Sequence, residues 1–144
     1  MVLRATGRPE AAVACYRRAI ALKPRNASSH SNLGNVLRDL GRFEAAVASH
    51  QQAVHLDPKN PDTLHNLGVA LRDLGRRDQS LDCFERALDN NPDHIPSLLD
   101  RGRSLLLAGE YIAGFKDLEA RFRMRRFQLR GMDTPRWTGA KVKG

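Results

Sequence analysis

The chain has 144 residues, 28% of them charged and only 6% aromatic, with a net charge of +8. No apolar run reaches the roughly 18 residues of a membrane span, and the start, MVLRATGRPE, lacks the apolar core of a signal peptide. These features argue against a helical membrane span and give a soluble cytoplasmic protein as the expectation. The positive charge is confined to the ends: residues 1–26 carry +5 and residues 121–144 carry +7, while 27–60, 61–94 and 95–120 carry 0, −3 and −1. A binder of nucleic acid along its whole length would be basic throughout.

The order within the chain follows a ruler of 34 residues. Asn32 to Arg42, NLGNVLRDLGR, returns 34 residues later as NLGVALRDLGR at Asn66 to Arg76, with nine of eleven positions identical. A near-copy at a fixed interval marks a repeat architecture. With Ala27 as position 1, Gly7, Gly41, Gly75 and Gly109 share one position, and Leu3, Leu37, Leu71 and Leu105 another. Gly34, Gly68 and Gly102 share a third, and Pro24, Pro58 and Pro92 a fourth.

The first unit, 1–26, is partial and consists mainly of a second helix from about Glu10 to Leu22. Its uncovered face is a candidate surface for self-association. Units 27–60 and 61–94 are complete. Leu64, Leu67, Gly68 and Leu71 recur at helical spacing and give one apolar face. Leu81, Phe84 and Leu88 do the same for a second helix. Gly75 stands where a left-handed helix cap belongs, Pro92 stops the second helix, and Asn60-Pro61 starts the unit. Each unit is expected to be a helix hairpin, with Gly at the crossing against Ala12, Ala46 or Ser80. The next unit, 95–126, is degenerate. Arg101 replaces Leu, with its stem buried and its head expected in solvent, and Gly114 replaces Ala. Residues 127–144 break the period and form a tail or linker.

The pattern L-G-x-x-L…G…A-x-x-x-aromatic-x-x-A…P resembles the tetratricopeptide repeat (TPR). The residues that carry it are Leu33, Gly34, Leu37, Ala46, His50, Ala53 and Pro58, then Leu67, Gly68, Leu71, Ser80, Phe84, Ala87 and Pro92. The resemblance implies an all-α fold, an α-solenoid of antiparallel hairpins in a right-handed superhelix, with about three and a half repeats. It also implies that the first helix of each unit lines a concave groove for a peptide or protein ligand. The groove positions here include Ser31, Asn32, Asn35, Arg38, His65, Asn66, Arg72, Asp100 and Arg103. Asn32 and Asn66 are equivalent, with Asp100 in the third place. An Asn amide offers an acceptor and two donors, so a row of them can hold a peptide backbone whatever its side chains. This is similar to the asparagine ladder of O-GlcNAc transferase. The carboxylate clamp of chaperone-binding TPRs needs basic residues where Ser31, Pro96 and Asp100 stand, so an acidic chaperone tail is not the expected ligand. Arg38 and Arg72, each followed by Asp, are expected to pair across neighbouring units.

No signature of catalysis appears: there is no P-loop, GxGxxG, HExxH, GxSxG or CxxC. The five histidines have no metal-ligand spacing, and the acids fall on positions read as solvent-facing. Neither an enzyme activity nor a cofactor is expected. Cys15 and Cys83 lie two periods apart, too far for a bridge, and read as small packing residues. The stretch Arg121, Arg123, Arg125, Arg126, Arg130, with Phe122 and Phe127 between, reads as a solvated basic helix face rather than a nucleic-acid or membrane site. Finally, Glu119, Arg121, Phe122, Arg123, Pro135, Trp137 and Gly139 resemble the junction that precedes the catalytic domain in bacterial TPR–glycosyltransferase-like proteins. The chain would then be a substrate-recognition arm, and nineteen Arg against five Lys fits a bacterial gene.

Overall fold

The computed structural model of the chain describes residues 8–120, and the described residues form seven α-helices and no strand. They are α1 (Pro9–Leu22), α2 (Ala27–Asp39), α3 (Phe43–Leu56), α4 (Pro61–Asp73), α5 (Arg77–Asn90), α6 (Ile95–Leu107) and α7 (Tyr111–Ala120). Leu3, Gly7, the basic stretch 121–130, the tail 127–144 and the junction residues from Arg121 onward lie outside the described residues.

Helix starts keep the sequence period: α2, α4 and α6 begin at residues 27, 61 and 95. Their N-caps are in phase too. Asn26 Oδ1 accepts from the Ser29 backbone N–H at 3.1 Å, and Asn60 Oδ1 from those of Asp62 and Thr63 at 3.0 and 3.3 Å. Pro61 follows at the first helical position, where its missing N–H goes unneeded. At the other end of each first helix, Gly41, Gly75 and Gly109 adopt φ of 74°, 85° and 85°, the left-handed region open to glycine. Each makes the same pair of closing bonds. At Gly41 these are Gly41 N–H to Arg38 C=O and Arg42 N–H to Leu37 C=O, both 2.9 Å.

Within a hairpin, α2 packs on α3, α4 on α5 and α6 on α7; between hairpins, α1 meets α2, α3 meets α4 and α5 meets α6. The buried apolar side chains form one continuous core from Ala12 and Val13 through Leu33, Leu37, Leu64 and Leu71 to Cys83 and Ala87. Close approach at the crossing demands glycine. A Cβ on Gly68 would lie 2.6 Å from Phe84 Cε1, and one on Gly102 3.0 Å from the Gly114 carbonyl oxygen. Gly114 has its own reason to lack a side chain, since its Cβ would meet Leu106 at 2.8 Å.

In addition, α2 touches α4 and α4 touches α6, whereas among the described residues α1, α3, α5 and α7 never touch one another. First helices are thus closer together than second helices. The array bends toward them, and α2, α4 and α6 line its concave side.

Three expectations need correction. Arg101 does not send its head into solvent: its guanidinium bonds Asp117 through Nε at 2.7 Å and Nη2 at 2.8 Å. Asp117 itself is buried, so the acids are not all solvent-facing. Cys15 is exposed and packs against nothing that buries it, while Cys83 is buried; both are free thiols. Burial pushes the Cys83 thiol up to about 11, Arg86 pulling it down and Asp82 adding to the rise, which makes it an inert packing group.

Candidate functional site

The concave side begins with the first helices and what joins them. Asn66 Nδ2 on α4 donates to Ser31 Oγ on α2 at 3.2 Å. One period on, the same two positions are Asp100 on α6 and His65 on α4, and His65 Nε2 meets Asp100 Oδ2 at 2.8 Å. Both contacts span 35 residues, so they are equivalent rungs between successive first helices. A side chain at this position reaches back to the preceding unit. Asn32 holds the same position on α2, is exposed, and has no side-chain partner among the described residues.

A second row of contacts runs through the arginines. Arg38 Nε approaches Asp73 Oδ2 at 3.9 Å, as pairing across units requires, and its Nη2 lies 3.8 Å from Asp39. Arg72 would reach the equivalent of Asp73, but Leu107 stands there. Its Nη1 instead donates to Asp100 Oδ1 at 2.7 Å, and Arg103 Nη1 lies 3.8 Å from the same oxygen. Asp100 is therefore the centre of the site, held by His65, Arg72 and Arg103. Partial burial works to raise its pKa, yet the hydrogen bonds from His65 and Arg72, with the Arg72 charge, outweigh that and hold it at about 2.

Of the residues the sequence places in the groove, His65, Arg72, Asp100 and Arg103 come together in one cluster, and Ser31 and Asn66 in another. Ser31 is buried in the seam between α2 and α4. Asn35 and Arg38 are half-buried on α2, Asn32 is exposed beside them, and Arg103 is exposed on α6. The Asn66 amide spends only Nδ2, on Ser31, and its carbonyl oxygen accepts from no side chain among the described residues.

One polar constellation escaped the sequence reading. His94 caps α6, its Nδ1 accepting from the Ser97 backbone N–H at 3.4 Å and from Ser97 Oγ at 2.8 Å. Its Nε2 donates to Asp62 Oδ1 at 2.9 Å, which ties the start of α6 to the start of α4. The order of residues evokes a hydrolytic triad, but Ser97 is fully buried and its hydroxyl is committed to the cap. No substrate carbonyl could reach it. The signal for the cap was present: His94 stands in phase with Asn26 and Asn60. Among the described residues no group of three or more His, Cys, Asp or Glu is arranged to hold a metal, and no helix is long and apolar enough to cross a membrane.

A family model described as TPR repeat matches residues 2–38 and 34–75, and one described as Tetratricopeptide repeat matches residues 61–94. No curated protein matches the chain. Among solved structures, a crystal structure of MamA is 19% identical, with a TM-score of 0.77, over 84% of this chain and 71% of that one. MamA 41-end from Desulfovibrio magneticus RS-1 is 17% identical, with a TM-score of 0.77, over 88% of this chain and 71% of that one. MamA MSR-1 C2 is 27% identical, with a TM-score of 0.71, over 84% of this chain and 72% of that one.

Proposed function

Because the chain belongs to the tetratricopeptide repeat family, we propose that it is a non-catalytic interaction module, holding an extended peptide or protein segment against the concave side of α2, α4 and α6. The observation that carries this reading is the unequal use of equivalent positions, two amides and a carboxylate. Asn66 and Asp100 are tied to Ser31 and His65, whereas Asn32, with Asn35 and Arg38 next to it, remains open on the same face. An open amide beside a guanidinium offers donors and an acceptor to a peptide backbone and a charge to an acidic side chain. The ladder thus has one free rung on α2 and half a rung at Asn66. Arg72 and Arg103 border it on the α6 side, with Ser31, His65 and Asp100 as the struts that hold the helices in register.

A selection of displayed random peptides on the whole chain, followed by titration of the selected peptides, tests the reading. Asn32→Ala with Asn66→Ala should weaken the selected peptides by about 1–3 kcal/mol, roughly fivefold to a hundredfold, with helix content unchanged. Peptides that bind the double variant as tightly as the parent chain would place the ligand elsewhere.

A second reading rests on Glu119, Arg121, Phe122, Arg123, Pro135, Trp137 and Gly139, which resemble the junction before a glycosyltransferase-like domain. In it, the groove is the recognition arm of that enzyme. Reading the gene downstream of Gly144 tests it: a strand, glycine-rich turn and helix in succession support it, and a stop codon refutes it.

A further inference from the structure

The last described helix carries an apolar face that the repeat pattern does not account for. Tyr111, Ile112 and Phe115 on α7 are 62%, 90% and 57% exposed, and Leu107 at the end of α6 is 78% exposed. Phe115 has a simple origin. Its equivalents are Val47, buried under the next hairpin, and Leu81, half-buried. Ile112 and Leu107 are different. Their equivalents are Glu44 and Asp78, and Asp39 and Asp73, all of them exposed although a further hairpin packs on each of those units. Another hairpin stacked in the same way on α7 would therefore leave Ile112 and Leu107 in water. The patch extends sideways past the stacking face, and its occupant must approach from that side.

We infer that this face of α7 pairs with the same face of a second copy of the chain about a two-fold axis. At about 150–250 Å² for a large side chain, the four residues expose on the order of 500 Å² per copy. A two-fold pairing that covers all of it buries at most about twice that, roughly the 1,000 Å² at which specific association begins. A patch of this size matches the largest that a typical monomer exposes, and such patches are often functional. The flanking charges suit self-pairing. Glu110 and Lys116 are both exposed, at opposite ends of the apolar stripe. An antiparallel pairing centred near Ala113 sets Tyr111 and Ile112 of each copy against Phe115 of the other, and brings Lys116 beside Glu110. The interface is isologous and closed, so it yields a discrete dimer.

The test is sedimentation velocity on the whole chain over a range of concentrations. The expected result is a monomer–dimer equilibrium in which Ile112→Asp raises the dimer dissociation constant by about tenfold or more. Ile112 is so exposed that the variant should keep its circular dichroism and thermal midpoint. Leu22→Asp, on the equally exposed end of α1, is the control and should leave the equilibrium as it is. Four outcomes overturn the inference: a monomer at every concentration, a dimer indifferent to Ile112→Asp, a dimer lost on Leu22→Asp, or an open series of larger species. The groove variants Asn32→Ala and Asn66→Ala do not touch this face, so failure here and failure of the groove reading are separable.

Discussion

The imidazole of His50 lies over Gly34, its Nε2 2.6 Å from where a Cβ on that glycine would stand, and the phenyl ring of Phe84 lies over Gly68 at the same 2.6 Å. The two rings fill equivalent slots of successive hairpins, but they are not equivalent in chemistry. Phe84 is fully buried and asks nothing of its surroundings. His50 is as deeply buried, and neither ring nitrogen has a hydrogen-bond partner among the described residues. A buried polar group without a partner costs about 1–3 kcal/mol. His50→Phe, which copies a ring already accommodated one period on, should therefore raise unfolding free energy by about 1–2 kcal/mol. Urea denaturation checks this; a lower midpoint would mean that the slot over Gly34 is shaped for the smaller ring.

The same residue sets a pH dependence. Burial, with the Arg38 charge in support, lowers the His50 pKa to about 4 from the ordinary 6.5. Above 6.5 the ring is neutral in both states and contributes no slope. Between 6.5 and 4 the unfolded chain binds the proton and the folded chain does not, so stability falls as pH falls. The loss across that window is on the order of 3 kcal/mol. Thermal midpoints measured from pH 7 to 4 should show the slope in the parent chain, and His50→Phe should flatten it.

Asp100 acts in a lower window; its pKa is lowered too, but because its charged form is held by partners rather than because burial disfavours a charge. Its carboxyl is held at about 2 in the folded chain, below its unfolded value near 4. The stabilisation it brings is present in full above the unfolded value and lost as pH falls through about 2, on the order of 2 kcal/mol in all. Asp100→Asn keeps a group that can accept from His65 and Arg72 but removes the charge. It should cost about 1–2 kcal/mol at neutral pH and abolish the acid slope below pH 4, while leaving the His50 slope intact. Acid titration of the two single variants and the double one separates the windows.

What the sequence revealed of this molecule is what repeats. The positions of Gly41, Gly75 and Gly109, the cap at Asn60, and the apolar face of α4 each follow from a local pattern in the sequence. What it hid is what breaks the copying. Phase put Cys15 and Cys83 together, but burial depends on a neighbour: Cys83 packs close to Gly68 on the first helix of its own hairpin. No described helix stands in that place for Cys15. The rungs Asn66 to Ser31 and Asp100 to His65 cross between helices 35 residues apart, so only the packing of α2, α4 and α6 brings them together. His94 was in phase with two asparagine caps, yet histidine is outside the usual capping set, and the chemistry of its ring concealed the position.

The ion pair between Arg101 and Asp117 is the departure with the clearest consequence. In the preceding hairpin the same two positions hold Leu67 and Cys83, both buried and uncharged. Replacing both at once in the last hairpin substitutes a charge pair for an apolar contact. The hydrogen bonds that Arg101 donates to Asp117 raise its pKa against the opposing effect of burial, so the guanidinium stays charged. The buried Asp117 charge is tolerable because Arg101 is present. Arg101→Leu alone should cost about 3 kcal/mol, because the buried Asp117 charge is left without its partner, and Asp117→Cys alone should cost less, because Arg101 is only half-buried and also faces Glu85 and Asp89. Arg101→Leu with Asp117→Cys restores the residues of the preceding hairpin and should be close to the parent chain in stability, or above it. A double-mutant cycle by urea denaturation measures the coupling. If the single losses simply add in the double variant, the pair is not a unit, and the last hairpin owes its register to the packing of Gly102 against Gly114 instead.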